Sequence, residues 1–526
     1  MRTAALLSML HEPSQINSAS RRFRDQPVVT WTVARVRQCS EISQIVLAVW
    51  EDQFKDVQSL FLPAKIKNLG PRRSIPTLDA ITVAQKWSAG WRGGLMASCC
   101  WDRGYLASVV VEVVSEVDAV VLVDPSSGLV DPQILHRLVR AAESGTRDYY
   151  FSQAPPGLGG VLLKRTMVQK LADGNAHPGR IVHYLPEAPV LDPVTSDACI
   201  ELPLSVSRST ERLTLDSERQ IRRISQATEP LNGTLLVADS DRILQRLGSI
   251  DPTGEFPREI TVELTTRRNS RPVFLPVVNR DDLSAAQFSS IVDEIQRYDD
   301  ARLVLGGLGD PLLHPCFEDL LDRCQQIHTV GLETDLIDVS EQTLRAIVEG
   351  SIDVVSVHLP AMTRSTYESI MGIDSIVQVI ENIKKLILIR QSRGKGTPII
   401  VPTFTKLSSN LAEMEQWYDT WLGAVGSAVI VGPSDYAGKM PDLSVAQMAP
   451  PLRKPCRRIE SRLTVWSDGS ISMCEQDAFS QFSIGKIGET SLESVWKTRL
   501  KGIRDSHRCG SGLPVLCQSC QEWHRP

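Results

Sequence analysis

Five of the eleven cysteines in this 526-residue chain fall between positions 456 and 520. Cys456 and Cys474 bound the stretch C-R-R-I-E-S-R-L-T-V-W-S-D-G-S-I-S-M-C, which reads as a hairpin turning at Ser467, Asp468 and Gly469. A hairpin returns its two ends to one side, so it would bring these two thiols together. Cys517 and Cys520 form a C-x-x-C pair, a spacing that lets one tight turn grip one metal centre with two thiolates. Four thiolates are soft donors that suit an iron–sulfur cluster or a tetrahedral zinc, and the spacing leaves both open. Cys509 is surplus to that set, while Cys39, Cys99, Cys100, Cys199, Cys316 and Cys324 show no ligand spacing and read mostly as small buried residues.

The length exceeds what one hydrophobic core fills, so about three domains are expected. Its 57 basic and 62 acidic residues are well mixed and leave a net charge of −5. No basic arm marks a nucleic-acid or anionic-membrane partner. The first ten residues lack a small-residue cleavage site and run into Glu12, so they read as a buried strand and not a signal peptide. The apolar run 107–123 is broken by Glu112, Glu116 and Asp118 and fails as a membrane span. A reducing, cytoplasmic setting is therefore expected, where clustered thiols bind metal in preference to forming disulfides.

Three patterns divide the chain into α/β parts. Over residues 1–225, apolar β-branched runs at 45–50 and 119–123 alternate with helical stretches such as 131–144, the pattern of a layered α/β domain with a largely parallel sheet. A strand stub at 213–215 and a helix capped by Asp216 close that domain. Residues 226–254 read as a linker. Over 255–445, six strand-like runs recur before helices, as in a partial or complete (β/α) barrel. Residues 446–526 form a small domain that needs a staple, and the four cysteines supply one.

Those last residues resemble the SPASM domain, the auxiliary iron–sulfur module of many radical SAM proteins. The likeness rests on Cys456, the hairpin glycine Gly469, Cys474 five residues later, the G-x-I-x-x-x-S-L-x-x-V-W stretch at 485–496, and Cys517 with Cys520. It implies one [4Fe-4S] cluster held by Cys456, Cys474, Cys517 and Cys520. Beside it, residues 255–445 resemble the radical SAM barrel. L-V-L-G-G-L-G-D-P at 303–311 is similar to the glycine-rich segment facing S-adenosylmethionine, which implies a cofactor-binding role for Gly307, Gly309 and Asp310. The family's first strand ends in C-x-x-x-C-x-x-C, whose three thiolates hold a cluster with one open iron. Here the flanking T-x-R-x-N puts Arg268, Pro272 and Leu275 at those positions. None can ligate iron, so the S-adenosylmethionine segment has no cluster beside it.

The N-terminal part resembles the nucleotidyltransferases that activate acidic and spore-coat sugars. The basic loop S-A-S-R-R-F-R-D-Q-P would cradle nucleotide phosphates, with Ser20 and Arg21 fitting and the family's lysine and glycine missing. V-V-L-V-D-P-S-S-G-L-V-D-P and R-L-T-L-D-S-E-R are similar to segments that bind magnesium, which implies Asp124 and Asp216 as ligands, although the register set by 129–132 gives the metal-binding position to Ser126. Gly159 and Gly160 stand where that family carries acidic residues. Trp91, Arg92, Gly93 and Gly94 read as a packing loop, with lining a sugar pocket as the alternative, and His177 and His183 read as structural.

Two function classes follow. One is a non-catalytic binding or scaffold protein in surface-polysaccharide or sugar-nucleotide metabolism, with a sugar nucleotide or a protein as partner. The other is an enzyme, either a magnesium-dependent nucleotidyltransferase or a radical enzyme with unorthodox cluster ligands. Substrate and oligomeric state are left open.

Overall fold

The computed structural model describes residues 1–88, 116–173, 195–446 and 448–525. Trp91, Arg92, Gly93, Gly94, Cys99, Cys100, His177 and His183 lie outside the described residues, as does 107–115 of the apolar run. The chain forms two compact units, Met1–Asp251 and Pro252–Pro526.

In the first unit the strands are β1 (Thr3–Ser8), β2 (Arg22–Phe23), β3 (Gln26–Pro27), β4 (Ile42–Val49), β5 (Lys65–Asn68), β6 (Ala119–Val123), β7 (Tyr149–Ser152), β8 (Val161–Lys164) and β9 (Cys199–Ile200). Seven of them form a sheet in the order β5-β4-β1-β6-β8-β7-β9. β1 runs parallel to β4 and β6, while β8 is antiparallel to β6 and β7. Both faces are covered. Ala5, Leu7, Val121 and Val123 join one apolar cluster, and Ala4, Leu6, Val120 and Leu122 join the cluster on the opposite face. A strand buried on both sides must be apolar at every position, which is why β1 and β6 read as unbroken apolar runs. Helix Pro132–Ser144 starts on Asp131, whose side chain accepts from Gln133 N, and buries Ile134, Leu135, Leu138 and Val139 at helical spacing.

Three expectations are corrected here. Residues 226–254 are not a linker. Leu231, Leu235, Ile243, Leu244 and Leu247 lie in the core of the first unit, and the fully buried Arg35 donates to the carbonyls of Val130, Leu235, Leu236 and Ala238. Polar composition hid a helix, Ser240–Leu247, whose apolar side faces inward. Helix Glu218–Thr228 is capped by Ser217, whose hydroxyl accepts from Gln220 N, and not by Asp216. Residues 213–215 form no strand, although Leu213 N and Leu215 N bond to Pro156 O and Ser126 O.

The second unit holds the six expected parallel strands: β10 (Glu259–Val262), β11 (Arg302–Leu305), β12 (Val330–Thr334), β13 (Ile352–His358), β14 (Ile399–Thr405) and β15 (Val429–Val431). The sheet is open, with β15 at one edge. The expected boundary at 445/446 does not interrupt it. β16 (Arg462–Val465) pairs parallel with β10, and β17 (Ser470–Ser472) and β18 (Ser483–Lys486) extend the sheet antiparallel. One apolar cluster runs from Phe256 to Trp523. A hairpin that adds strands to a neighbour's edge leaves no sequence mark of that pairing, so the cysteine-bearing segment reads as separate when it is not.

Candidate metal centre and strand-end sites

The β16–β17 hairpin turns at Gly469, whose φ of +82° favours glycine, and Asp468 accepts from Ser470 N at 2.9 Å. Cys456 lies before this hairpin and Cys474 just after it. Cys517 lies in helix Val515–Ser519, and Cys520 ends it. All four are buried, whereas Cys509 is exposed. The four thiols are electrostatic neighbours: Cys456, Cys517 and Cys520 each act on Cys474, and Cys456 and Cys520 act on Cys517. Burial, then this mutual repulsion, raises Cys474 and Cys520 and pushes Cys517 up to about 12. Two backbone groups oppose the rise, Gln476 N–H on Cys474 and Glu522 N–H on Cys520 at 3.3 Å. Among the described residues, no three His, Cys, Asp or Glu side chains stand at the spacing of ligands to a single metal ion. Elsewhere Cys39 and Cys324 are buried as expected, Cys199 is half-buried, and Cys316 is exposed.

At the carboxyl ends of β10–β13 a second set of groups converges. Arg268 pairs with Asp335 at 2.5 Å and donates to Leu308 O and Gly309 O at 2.9 and 3.1 Å. Asp335 also takes hydrogen bonds from Ser270 Oγ and, at 2.9 Å, from His358 Nδ1. Burial alone would raise the Asp335 carboxyl, but Arg268, His358 and Ser270 outweigh it and hold it well below the usual range. Asp310 accepts from Leu312 N, Thr334 Oγ1 and Asp335 N, and burial together with the adjacent Asp335 raises it. Gly309 lets this loop lie against β10's end, since a Cβ there would stand 2.0 Å from Thr265 O. Gly307 has φ +124° beside Glu263. Glu263 is fully buried, paired with Arg280 at 2.7 Å and bonded to Leu308 N and Ser467 N. Val273 N, between Pro272 and Leu275, bonds to Ile370 O. Asp335, His358, Glu263 and Arg280 escaped the sequence reading. Three of these four lie at or just after a strand's carboxyl end, where parallel sheets gather polar groups, and that position is the signal that could have found them.

In the first unit Asp124 directly follows β6 and accepts from Ser126 N and Oγ at 2.8 and 2.5 Å. His11 Nε2 lies 3.7 Å from it, and both Asp124 and Asp216 act electrostatically on His11. Burial first lowers His11 and raises Asp124. His11 Nδ1 and Asp216 Oδ1 are buried without a hydrogen-bond partner, although Asp216 is also paired with Arg212. The loop carrying Ser20 and Arg21 is folded on itself. Asn17 Oδ1 takes Ala19 N and Ser20 N, Ser20 Oγ donates to Gln15 O, Arg21 pairs with Glu218, and Glu12 takes Ser18 N and Oγ. Its amides are thus turned to internal acceptors. Burial pushes Glu12 up to about 8, against the Ser18 hydroxyl. Gly160 sits where a Cβ would stand 2.5 Å from Leu122 O, so close strand packing explains glycine there. His11 and Glu12, just past β1, were the residues missed.

Residues 456–521 match the SPASM family model, an iron–sulfur cluster-binding domain. An uncharacterized protein of Treponema pallidum (strain Nichols) is 22% identical over 272 residues, covering 48% of this chain and 74% of the relative. A tungsten-containing aldehyde ferredoxin oxidoreductase cofactor-modifying protein of Pyrococcus furiosus is 24% identical over 123 residues, 23% of this chain, which spans only 34% of that relative's length. Among solved structures, Streptococcus suis SuiB bound to precursor peptide SuiA has a TM-score of 0.41 at 13% identity, covering 54% of this chain and 75% of its own. A cytidylyltransferase from Leptospira borgpetersenii has a TM-score of 0.34 at 14% identity, covering 47% of this chain and 94% of its own. Among the described residues no helix is long and apolar enough to cross a membrane.

Proposed function

We propose that this protein holds one [4Fe-4S] cluster on Cys456, Cys474, Cys517 and Cys520, and that its radical SAM-like barrel is catalytically silent and serves binding or scaffolding. The observation that carries the silent barrel is the buried Arg268–Asp335 pair. By its sequence register Arg268 takes the place of the family's first cluster cysteine, and its pairing with Asp335 supports the reading that no cluster is held there. Removing a charge from so buried a pair costs several kcal/mol, so Arg268 is no easily displaced stand-in.

Several features support the cluster. The donor set is all sulfur and buried, and two thiols already carry backbone N–H groups. Without a metal, the buried thiols of Cys474, Cys517 and Cys520 resist ionisation, and bound iron reverses that preference. A tetrahedral zinc site with Zn–S of about 2.3 Å sets its sulfurs roughly 3.8 Å apart. Four thiolates serve either group, and the match of residues 456–521 to an iron–sulfur cluster-binding domain favours the larger cube. When bound, the group supplies a one-electron redox centre and a covalent cross-link. This chain's residues exclude water from it, with Trp523 and Met473 buried in the same cluster of side chains as the four cysteines.

Anaerobic purification with iron and sulfide counting tests this reading. About four irons per chain, lost in Cys517→Ala, are expected, and about eight would overturn the empty barrel. Reductive cleavage of S-adenosylmethionine to 5'-deoxyadenosine by the purified protein would do the same.

A second reading concerns the first unit: a divalent cation, magnesium included, at Asp124 and Asp216 in a sugar-nucleotide site, placing the protein in cytoplasmic sugar-nucleotide or surface-polysaccharide metabolism. The unpartnered His11 Nδ1 and Asp216 Oδ1 favour it. It requires Asp216 to exchange Arg212 for the cation, and the self-satisfied Ser18–Arg21 loop argues against tight triphosphate binding. Titration with cytidine triphosphate and magnesium, with Asp216→Asn as control, decides it: turnover lost in the variant supports the reading, and no binding by wild type ends it.

A further inference from the structure

Two buried donors next to the cysteine centre have no acceptor. Arg458 has its Nη atoms paired with Glu475 and, at 3.4 Å, Glu522, yet its Nε is buried and unpartnered. Cys474 and Cys456 are among its electrostatic neighbours. Arg453 donates from Nη2 to Cys517 O at 2.6 Å, and its guanidinium lies 6.0 Å from the Trp523 ring centroid. Its Nε is likewise buried and unpartnered, and it acts electrostatically on Cys517.

A buried N–H left without an acceptor loses its hydration with nothing in return, so two beside one centre call for acceptors that belong there. The thiols differ in their backbone donors. Cys474 and Cys520 each receive a backbone N–H from two residues on, Gln476 and Glu522. No such backbone donor serves Cys456 or Cys517 among the hydrogen bonds of the described residues; Arg453 neighbours Cys517, and Arg458 neighbours Cys474, Cys456 and Cys520. We propose that Arg453 and Arg458 are positioning residues that direct their Nε–H groups at the cluster's sulfurs, completing its hydrogen-bond shell and raising its reduction potential. The inference rests on the cluster reading above. Reduction adds negative charge to an already anionic cluster, and N–H donors to its sulfurs favour the reduced state. Arg458 is held for this by carboxylates on two different segments, Glu475 after β17 and Glu522 near the C-terminal end. Moving the guanidinium would unpair both.

The test is a redox titration, followed by electron paramagnetic resonance, of the anaerobically purified full-length chain and its Arg458→Met, Arg453→Met and Arg458→Lys variants. Each Met variant is expected to keep its iron and lower the reduced-to-oxidised ratio at a fixed potential at least tenfold, a shift of about −59 mV for one electron. Arg458→Lys, which keeps the charge and loses the planar Nε–H, is expected to fall between wild type and Arg458→Met. Iron retained with a ratio changed less than twofold in both Met variants overturns the proposal. If Arg458→Met loses its iron, Arg453→Met and Arg458→Lys carry the test, and unmoved potentials in both overturn it. Zinc in place of iron in the wild type would overturn the cluster reading itself, and metal analysis detects that before any potential is measured.

Discussion

Arg268 and Glu12 are both buried beside polar partners, and they respond to change in opposite ways. Asp335 is held ionised chiefly by Arg268, and among the described residues Arg268 and His358 are the basic side chains bonded to it. Arg268→Met is therefore expected to destabilise the second unit by about 3–5 kcal/mol in chemical unfolding, and Arg268→Met with Asp335→Leu to recover most of the loss. Equal destabilisation by the single and double variants would show that packing, not charge, is at stake. Glu12 is the reverse case, a carboxyl with an unperturbed value of 4.5 that burial pushes up to about 8. Its folded-state value lies above its unfolded one, so its contribution to stability is whole below about pH 4.5 and is lost as pH rises through about 8. Glu12→Gln is expected to flatten the pH dependence of first-unit unfolding across that window. A gain of about 2 kcal/mol or more should appear at pH 8.5, with little change at pH 4.5. An unchanged slope in thermal melts would refute the assignment.

At the scale of elements, the segment around helix Ser240–Leu247 carries the clearest prediction. Arg35 holds it through the carbonyls of Leu235, Leu236 and Ala238, and Asp131 accepts from Ser240 N and Oγ. A linker would be cut readily there, whereas a docked segment is protected. Limited proteolysis is expected to spare 226–250 in the wild type and to cut it in Arg35→Met, where several buried carbonyls lose their donor. The loop after β11 behaves similarly. Gly309→Ala would drive a methyl group into Thr265 O and push Leu308 and Gly309 off Arg268, so loss of folded second unit is expected by circular dichroism.

For the whole molecule, the division at 251/252 predicts two unfolding transitions. Removing iron by chelation, or substituting Cys517, is expected to lower only the transition of the second unit. In that unit one sheet joins the barrel strands to the cysteine-bearing hairpin through β10 and β16. A cluster confined to an independent terminal domain would instead leave the barrel's melting untouched, and hydrogen exchange on β10–β13 distinguishes the two.

Much of this was legible in the residues themselves. The four cysteines, the hairpin glycine Gly469 and the six recurring strands announce themselves, because ligand type, turn conformation and apolar periodicity are local properties written into short stretches. The bare loop at Arg268, Pro272 and Leu275 was legible in the same way, as a motif missing its thiols. What filled that place was not. Asp335 and His358 lie 67 and 90 positions beyond Arg268, and no spacing rule ties them to it. The pairing of β16 with β10, the docking of 235–238 on Arg35, and the unpartnered Nε atoms of Arg453 and Arg458 are likewise contacts between distant stretches. They exist only once the chain is packed, because burial, and the need of each buried charge or donor for a partner, arises in the folded state and not in the order of residues.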